Sequence, residues 1–95
     1  PSERSGVKMG FVYILQSKLN QRYYIGSTLD VEHQFIQHQS GLVASTKHLR
    51  PLELKYYQKY ETLKQARQIE YKLKKLKSRK IIEQIIQDKI IKLGL

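Results

Sequence analysis

The chain has 95 residues and a formal net charge of +10, and its 40% hydrophobic content is enough for one modest core, so we expect a single domain. The absence of cysteine excludes disulfides and Cys-based zinc sites, and the lack of a long apolar run or signal-peptide pattern predicts a soluble, cytoplasmic protein without a membrane partner. The positive charge favours nucleic acid as partner, although ribosomal proteins and membrane-surface helices have similar charge balances.

The first predicted element is a β-hairpin. Residues 1–8 are polar and are interpreted as a frayed tail or an expression remnant, so we place the domain at residues 9–95. Residues 11–15 and 23–25 are rich in β-branched and aromatic side chains, which favour strands. A short polar segment separates the two runs, and this arrangement is typical of a hairpin.

A short helix and a polar loop follow the hairpin. Asp30 is a suitable N-cap for a helix that reaches about Gln39, and Gly41 is a suitable stop. The loop over residues 41–50 is polar and basic, so we expect it to form a surface that can contact a backbone phosphate.

A third strand and two helices complete the predicted order β-β-α-β-α-α. Alternation after Pro51 predicts a strand whose buried face comprises Leu52, Leu54 and Tyr56. Thr62 and Gln65 match a capping box at the start of a helix. The apolar stripe of this helix comprises Ala66, Ile69, Leu73 and Leu76. Ser78 can cap a last helix whose apolar face comprises Ile81, Ile82, Ile85, Ile86 and Ile90. We therefore predict an α+β fold with a three-stranded antiparallel sheet flanked by helices.

Glu70 falls inside the apolar stripe of the second helix, where a carboxylate is costly unless a cation meets it. One interpretation is an intrahelical ion pair with Lys74 or a position at the exposed border of the stripe. The other is a ligand for a hard cation such as Mg²⁺, which takes few protein ligands.

The chain contains seven tyrosines. Those of the third strand, Tyr56, Tyr57 and Tyr60, are interpreted as core and rim packing, with base stacking as the alternative. Tyr13 and Tyr24 differ because they lie on paired strands of one hairpin, where their hydroxyls can converge.

Phe11-Val12-Tyr13 and Tyr24-Ile25-Gly26 resemble the paired GIY and YIG signatures of GIY-YIG nucleases, although Phe11 replaces the first glycine. Further segments in the same order are Ser27-Thr28, His38-Gln39-Ser40-Gly41, Arg50-Pro51-Leu52, Ala66 through Glu70 to Lys74, and Ser78-Arg79-Lys80. The resemblance covers residues 11–86 and is to the small stand-alone, single-domain members of that family.

The resemblance implies a catalytic site for phosphodiester hydrolysis. Tyr24 would activate the attacking water, and Tyr13 would support it by hydrogen bonding. Glu70 would bind one Mg²⁺ or Mn²⁺ ion, and His38 would lie near the phosphate. Gly26 would let the backbone approach the scissile phosphate, the alternative being a strand kink.

Gln34 is the main departure from the family pattern. The family's catalytic arginine is expected eight residues after the YIG glycine, which is position 34 in this chain. A neutral amide lacks the charge and the bidentate fork of a guanidinium, and losing such a contact slows a reaction by about 10²- to 10³-fold. The neighbouring His33 points about 100° around the helix and is a poor substitute. Gln34 is either a deliberate change that keeps substrate uncut, which the otherwise complete site favours, or the mark of a natural binding protein.

Three functions follow from this pattern: a metal-dependent DNA endonuclease in impaired form, a non-catalytic nucleic-acid-binding module using the same cleft, or a basic structural protein of a ribonucleoprotein particle. Retention of Tyr13, Tyr24 and Glu70 argues against the last. We expect a monomer that binds single-stranded DNA in preference to duplex. The predicted nucleic-acid contacts are Gly26, Ser27, Lys47, His48, Arg50, Lys74, Lys77, Arg79 and Lys80, and the alternative for the basic ones is a solvated charged face.

Overall fold

The computed structural model describes residues 9–92, so the predicted tail at residues 1–8 and the last three residues lie outside the described part of the chain. Its elements in chain order are β1 (Gly10–Ser17), β2 (Tyr23–Thr28), α1 (Val31–Gln39), a 3₁₀ helix (Lys47–Leu49), β3 (Leu52–Tyr60), α2 (Leu63–Leu76) and α3 (Arg79–Asp88). The predicted order and the α+β class are confirmed. The 3₁₀ helix inside the 41–50 loop was not predicted.

The sheet is antiparallel with strand order β2-β1-β3, so β1 is hydrogen-bonded on both sides. Successive side chains of a strand point to opposite faces, and β1 therefore contributes to two cores. Val12 and Ile14 pack against α2 and α3, whereas Tyr13 and Leu15 pack on the opposite face, which α1 covers. The helices thus form a layer on each side of the sheet.

A bulge in β3 overturns part of the predicted strand face. Leu54 pairs with Leu15, but Tyr56 pairs with Ile14, so Lys55 is an extra residue in the ladder. Leu52 and Leu54 face α1 as one set, while Tyr56 faces the core under α2 and α3. The prediction that all three residues share one face is wrong for Tyr56, because the bulge reverses the alternation at that point.

The predicted helix caps are confirmed. The side chains of Asp30, Thr62 and Ser78 each accept a hydrogen bond from the backbone N–H three residues later. After α1 the chain turns at Gly41, whose φ of +81° lies in the left-handed region that glycine adopts readily.

The two predicted helical stripes are narrower than expected. Leu76, Ile81 and Ile90 are 46%, 37% and 47% exposed, whereas the other stripe residues are buried or half-buried. Leu76 is the last residue of α2, where Lys77 adopts a left-handed conformation that redirects the chain into α3, and Ile90 lies beyond the end of α3 at Asp88. Within residues 9–92, no helix combines the length and the apolar character needed to cross a bilayer.

The start of α2 lies directly against the start of β1. A Cβ at Gly10 would be 2.5 Å from the Leu63 Cα, so this position has no room for a larger residue. The contact fixes α2 along the β1–β2 half of the sheet, and that placement brings Glu70 to the edge of β2.

Candidate functional site

The predicted site residues meet at the open edge of β2, where α1 and α2 approach from opposite faces of the sheet. Along β2, the side of Tyr24 and Gly26 faces α1, whereas the next residue, Ser27, faces α2. Because β2 is an edge strand, side chains from the two layers can reach each other around it. The cleft is therefore built from β2, the α1 helix that follows it in the chain, and the more distant α2.

Tyr13 is the buried part of this site, with only 3% of its surface exposed. Its hydroxyl lies 3.0 Å from Nε2 of His38, whose side chain is fully buried. Burial raises the pKa of Tyr13, and negative charge on Tyr24 and Glu70 adds to the rise. The phenol therefore keeps its proton at neutral pH and can donate a hydrogen bond to Nε2 of His38.

His38 links Tyr13 to the loop after α1. Burial lowers the pKa of His38, so the ring is neutral at pH 7. If Nε2 accepts from Tyr13, Nδ1 carries the ring proton, and this atom lies 2.7 Å from the Thr46 hydroxyl. The Thr46 hydroxyl in turn donates to the backbone oxygen of Val43. A continuous hydrogen-bonded chain thus runs from Tyr13 into the loop.

Two of these hydrogen bonds were not predicted. The Tyr13 hydroxyl bonds to His38, and the rings of Tyr13 and Tyr24 have centroids 6.5 Å apart, so the support of Tyr24 by Tyr13 in catalysis stays a prediction. Thr46 belongs to the loop expected to offer a phosphate-contacting surface, yet it is fully buried against His38. Sequence reasoning had no signal for this contact, because a loop residue eight positions after His38 follows no helical or strand period.

Tyr24 is half-buried, and its ring lies 5.1 Å from that of His38. Within the described part of the chain its hydroxyl has no hydrogen-bond partner, in contrast to the hydroxyl of Tyr13. The Tyr24 hydroxyl is therefore the one available to a bound water or ligand.

Gly26 lies beneath the Tyr13 ring, since the two residues face each other across the β1–β2 ladder. A Cβ at Gly26 would be 2.5 Å from the Tyr13 Cζ. The close approach of the Tyr13 ring thus requires glycine at this position. This steric reason differs from the two predicted ones, which were contact with the scissile phosphate and a kink in the strand.

Glu70 reaches the site from α2 with its side chain only 19% exposed. Its Oε1 accepts a short hydrogen bond from the Ser27 hydroxyl, and its Oε2 lies 2.7 Å from Nζ of Lys74. The same Nζ is 5.6 Å from the centroid of the Tyr24 ring. The ion pair with Lys74 that the sequence left open is therefore present, and it lies inside the cleft.

The donor set of this cleft is compatible with a hard divalent ion. Among the described residues there is no group of three or more His, Cys, Asp and Glu side chains able to hold a metal. Mg²⁺ needs no such group, because it commonly takes one or two carboxylates and completes its shell with water and substrate phosphate. Glu70 provides one carboxylate, and the Lys74 ammonium 2.7 Å from Oε2 shows that this oxygen attracts a cation.

Gln34 lies one turn before His38 on α1 and is half-buried. The Thr28 hydroxyl, at the end of β2, is 3.5 Å from its Oε1. His33 is exposed and contacts Gln37 on another face of the helix, as its helical angle indicated. No cation thus occupies the place in α1 where the family resemblance predicts an arginine.

The other predicted nucleic-acid contacts form two exposed groups: Lys47, His48 and Arg50 around the 3₁₀ helix, and Lys77, Arg79 and Lys80 where α2 ends and α3 begins. Both arginines already have structural partners. Arg50 donates to the backbone oxygens of Lys47 and Gln39. Arg79 donates to the backbone oxygen of Gln21 in the hairpin turn and stacks 4.8 Å from the Tyr23 ring.

Comparison with known proteins agrees with this geometry. The family model described as GIY-YIG catalytic domain matches residues 9–82. UPF0213 protein YazA of Bacillus subtilis is 38% identical over 80 residues, covering 83% of this chain and 79% of YazA. UPF0213 protein OB0043 of Oceanobacillus iheyensis is 36% identical over 67 residues, covering 70% of this chain and 77% of that protein. No solved structure matches the chain significantly. The chain therefore belongs to the GIY-YIG catalytic domain family.

Proposed function

We propose that the protein is a divalent-metal-dependent DNA endonuclease whose hydrolytic step is impaired by Gln34. A GIY-YIG catalytic domain implies nuclease activity, and therefore a nucleic-acid substrate. The observation that carries the proposal is the meeting of Tyr13, Tyr24 and Glu70 at the edge of β2. A half-buried carboxylate beside two tyrosines has no evident use in a purely structural protein.

Each proposed role rests on one contact of the cleft. Hydrolysis of a phosphodiester requires a water whose proton can be removed and groups that offset the developing negative charge. The hydroxyl of the half-buried Tyr24 has no hydrogen-bond partner among residues 9–92 and can hold the attacking water. Tyr13, fixed by His38, keeps the Tyr24 ring in place by packing beside it.

Glu70 is the residue that would hold the divalent ion, which GIY-YIG nucleases generally use. When bound, such an ion neutralises phosphoryl oxygens and assists departure of the leaving oxygen. Ser27 would orient the carboxylate through Oε1 and leave Oε2 toward the cleft. We propose Mg²⁺ or Mn²⁺ on the basis of this single oxygen-donor side chain.

The second candidate is a non-catalytic nucleic-acid-binding module, which Gln34 specifically favours. The Gln34 side chain is neutral and already lies near the Thr28 hydroxyl. Position 34 of α1 therefore offers no positive charge to the pentacoordinate phosphorus of the transition state. A module of this kind would use the net charge of +10 to bind phosphates without a metal requirement.

The test is Gln34→Arg, assayed with Mg²⁺ and Mn²⁺ on labelled single-stranded and duplex DNA. Restoring one electrostatic contact is expected to raise cleavage by about 10²-fold or more. His33→Arg is the matched control, because it adds the same charge on the exposed side of α1 and is expected to leave cleavage at its original level. If Gln34→Arg binds DNA and cuts none, the nuclease proposal fails and the binding module is favoured.

A second variant tests the metal role. Gln34→Arg combined with Glu70→Ala is expected to lose the restored cleavage, and retention of that cleavage would contradict the role given to Glu70. We further propose single-stranded DNA as the preferred substrate, because Tyr57 is 51% exposed and can stack on an unpaired base. Competition between matched single-stranded and duplex oligonucleotides measures this preference.

A further inference from the structure

The Glu70 carboxylate is saturated by the protein itself. The Ser27 hydroxyl occupies Oε1, and the Lys74 ammonium lies 2.7 Å from Oε2. A divalent ion on Oε2 would approach to about 2.0–2.1 Å, the usual distance for Mg²⁺ and a carboxylate oxygen. The ammonium and the ion would then share one oxygen at a separation where two cations repel strongly.

We propose that the Lys74 ammonium competes with a divalent ion for the Glu70 carboxylate. A divalent ion that binds Glu70 displaces Lys74, and the released ammonium turns toward a substrate phosphate beside Tyr24. This inference rests on the proposed function, since it concerns the same carboxylate. It assigns Lys74 two alternating partners.

The surroundings of the ion pair between Glu70 and Lys74 distinguish it from an ordinary ion pair on a helix surface. Glu70 is held from the other side by Ser27 and is only 19% exposed, so the carboxylate cannot follow Lys74 into solvent. The Lys74 side chain itself is 49% exposed and has a flexible stem, so it is the member of the pair that can move. Its Nζ already lies 5.6 Å from the Tyr24 ring centroid.

The released ammonium would bring positive charge to the part of the cleft that lacks it. Gln34 supplies none from α1, and the predicted contacts Arg50 and Arg79 are engaged with backbone oxygens. A phosphate whose attacking water is held by Tyr24 would lie within reach of the Lys74 stem. Divalent ion and phosphate binding are therefore expected to be coupled through this one side chain.

Titration of Mn²⁺, followed by the electron paramagnetic resonance signal of the free ion, tests the competition without any cleavage. Lys74→Met keeps the aliphatic stem and removes the charge, and it is expected to bind Mn²⁺ about two- to fivefold more tightly, the value of a partly exposed ion pair. Lys75→Met is the matched control, since Lys75 contacts the outward-facing Tyr71 instead. It is expected to leave Mn²⁺ affinity unchanged, and Glu70→Gln is expected to abolish binding.

Unchanged or weaker Mn²⁺ binding by Lys74→Met would overturn the proposal, as would equal tightening by Lys75→Met. The result is separable from the nuclease test. If Gln34→Arg cuts nothing while Lys74→Met binds Mn²⁺ more tightly, the nuclease function fails and the competition stands. If Gln34→Arg cuts while Lys74→Met leaves Mn²⁺ affinity unchanged, the competition fails alone.

Release toward phosphate is tested by the salt dependence of binding to a single-stranded oligonucleotide, with Mn²⁺ or with a chelator. One phosphate contact changes the slope of log affinity against log salt by about 0.7. Mn²⁺ also displaces monovalent counterions from the oligonucleotide and flattens the slope for every variant, so the comparison is made between variants under the same conditions. With Mn²⁺ the wild-type slope is expected to be steeper than the Lys74→Met slope by about 0.7, and with the chelator the two slopes are expected to be equal. Equal changes in both proteins would overturn this part of the proposal. Lys75→Met is expected to show the wild-type response to Mn²⁺.

Discussion

Replacing Gly26 by alanine is expected to destabilise the protein by about 2–6 kcal/mol, because the added methyl group meets a ring that cannot move freely. The new Cβ would lie 2.5 Å from the Tyr13 Cζ and 3.0 Å from its Cε2. Forcing extra volume into a packed site costs about 1–3 kcal/mol. If the ring shifts, the buried hydrogen bond to His38 breaks, which costs about 1–3 kcal/mol more.

Thermal unfolding of the two proteins measures this effect, and a loss of 2 kcal/mol corresponds to a fall of about 8–16 °C in Tm for a domain of this size. The origin of the effect is tested in a Tyr13→Leu background, where the atoms that clash are absent. There Gly26→Ala is expected to cost under about 1 kcal/mol, since the strand itself tolerates alanine. An equal cost in both backgrounds would refute the steric reasoning and indicate a backbone requirement at Gly26.

Three further measurements probe the same architecture. Burial lowers the pKa of His38 below its unfolded value of about 6.5, so the full stability holds above that pH and is lost toward the folded pKa at up to about 1.4 kcal/mol per pH unit. Urea midpoints at about pH 7.5 and pH 5.5 are expected to differ less in His38→Gln than in the wild type. Thr46→Val leaves the buried His38 Nδ1 without a partner and is expected to cost about 1–3 kcal/mol in urea unfolding, whereas Thr46→Ser is expected to retain most of the stability. Leu73→Ala is expected to cost about 2–5 kcal/mol and Leu76→Ala under about 0.5 kcal/mol, and equal costs would contradict the exposure of Leu76.

The elements were predictable from the sequence where a local physical cause acts. Asp30, Thr62 and Ser78 are short polar side chains before apolar runs, and each caps a helix as expected. The face of Tyr56 was not predictable, because the bulge at Lys55 arises from pairing with β1 and leaves no mark in the residues of β3 themselves.

The candidate site divides in the same way. The position of Gln34 and its distance from Gly26 along the chain are sequence properties, as is the helical spacing of Glu70 and Lys74. The choice between an ion pair and a metal ligand was open from the sequence, and the structure places the ion pair within the proposed metal site. The bond of His38 to Thr46 depends on how the loop folds back over α1, which no periodic pattern encodes.

The two tyrosines of the hairpin differ in how firmly the backbone holds them. Tyr13 is on β1, paired on both sides, while Tyr24 is on β2, which is paired on one side only. Amide hydrogens in a central strand exchange with solvent only in rare, extensive openings, and those of an edge strand exchange in smaller ones. The amides of β1 that bond to β3 are therefore expected to exchange much more slowly than the amides of β2. One short hairpin thus provides a fixed tyrosine and an adjustable one a few ångströms apart.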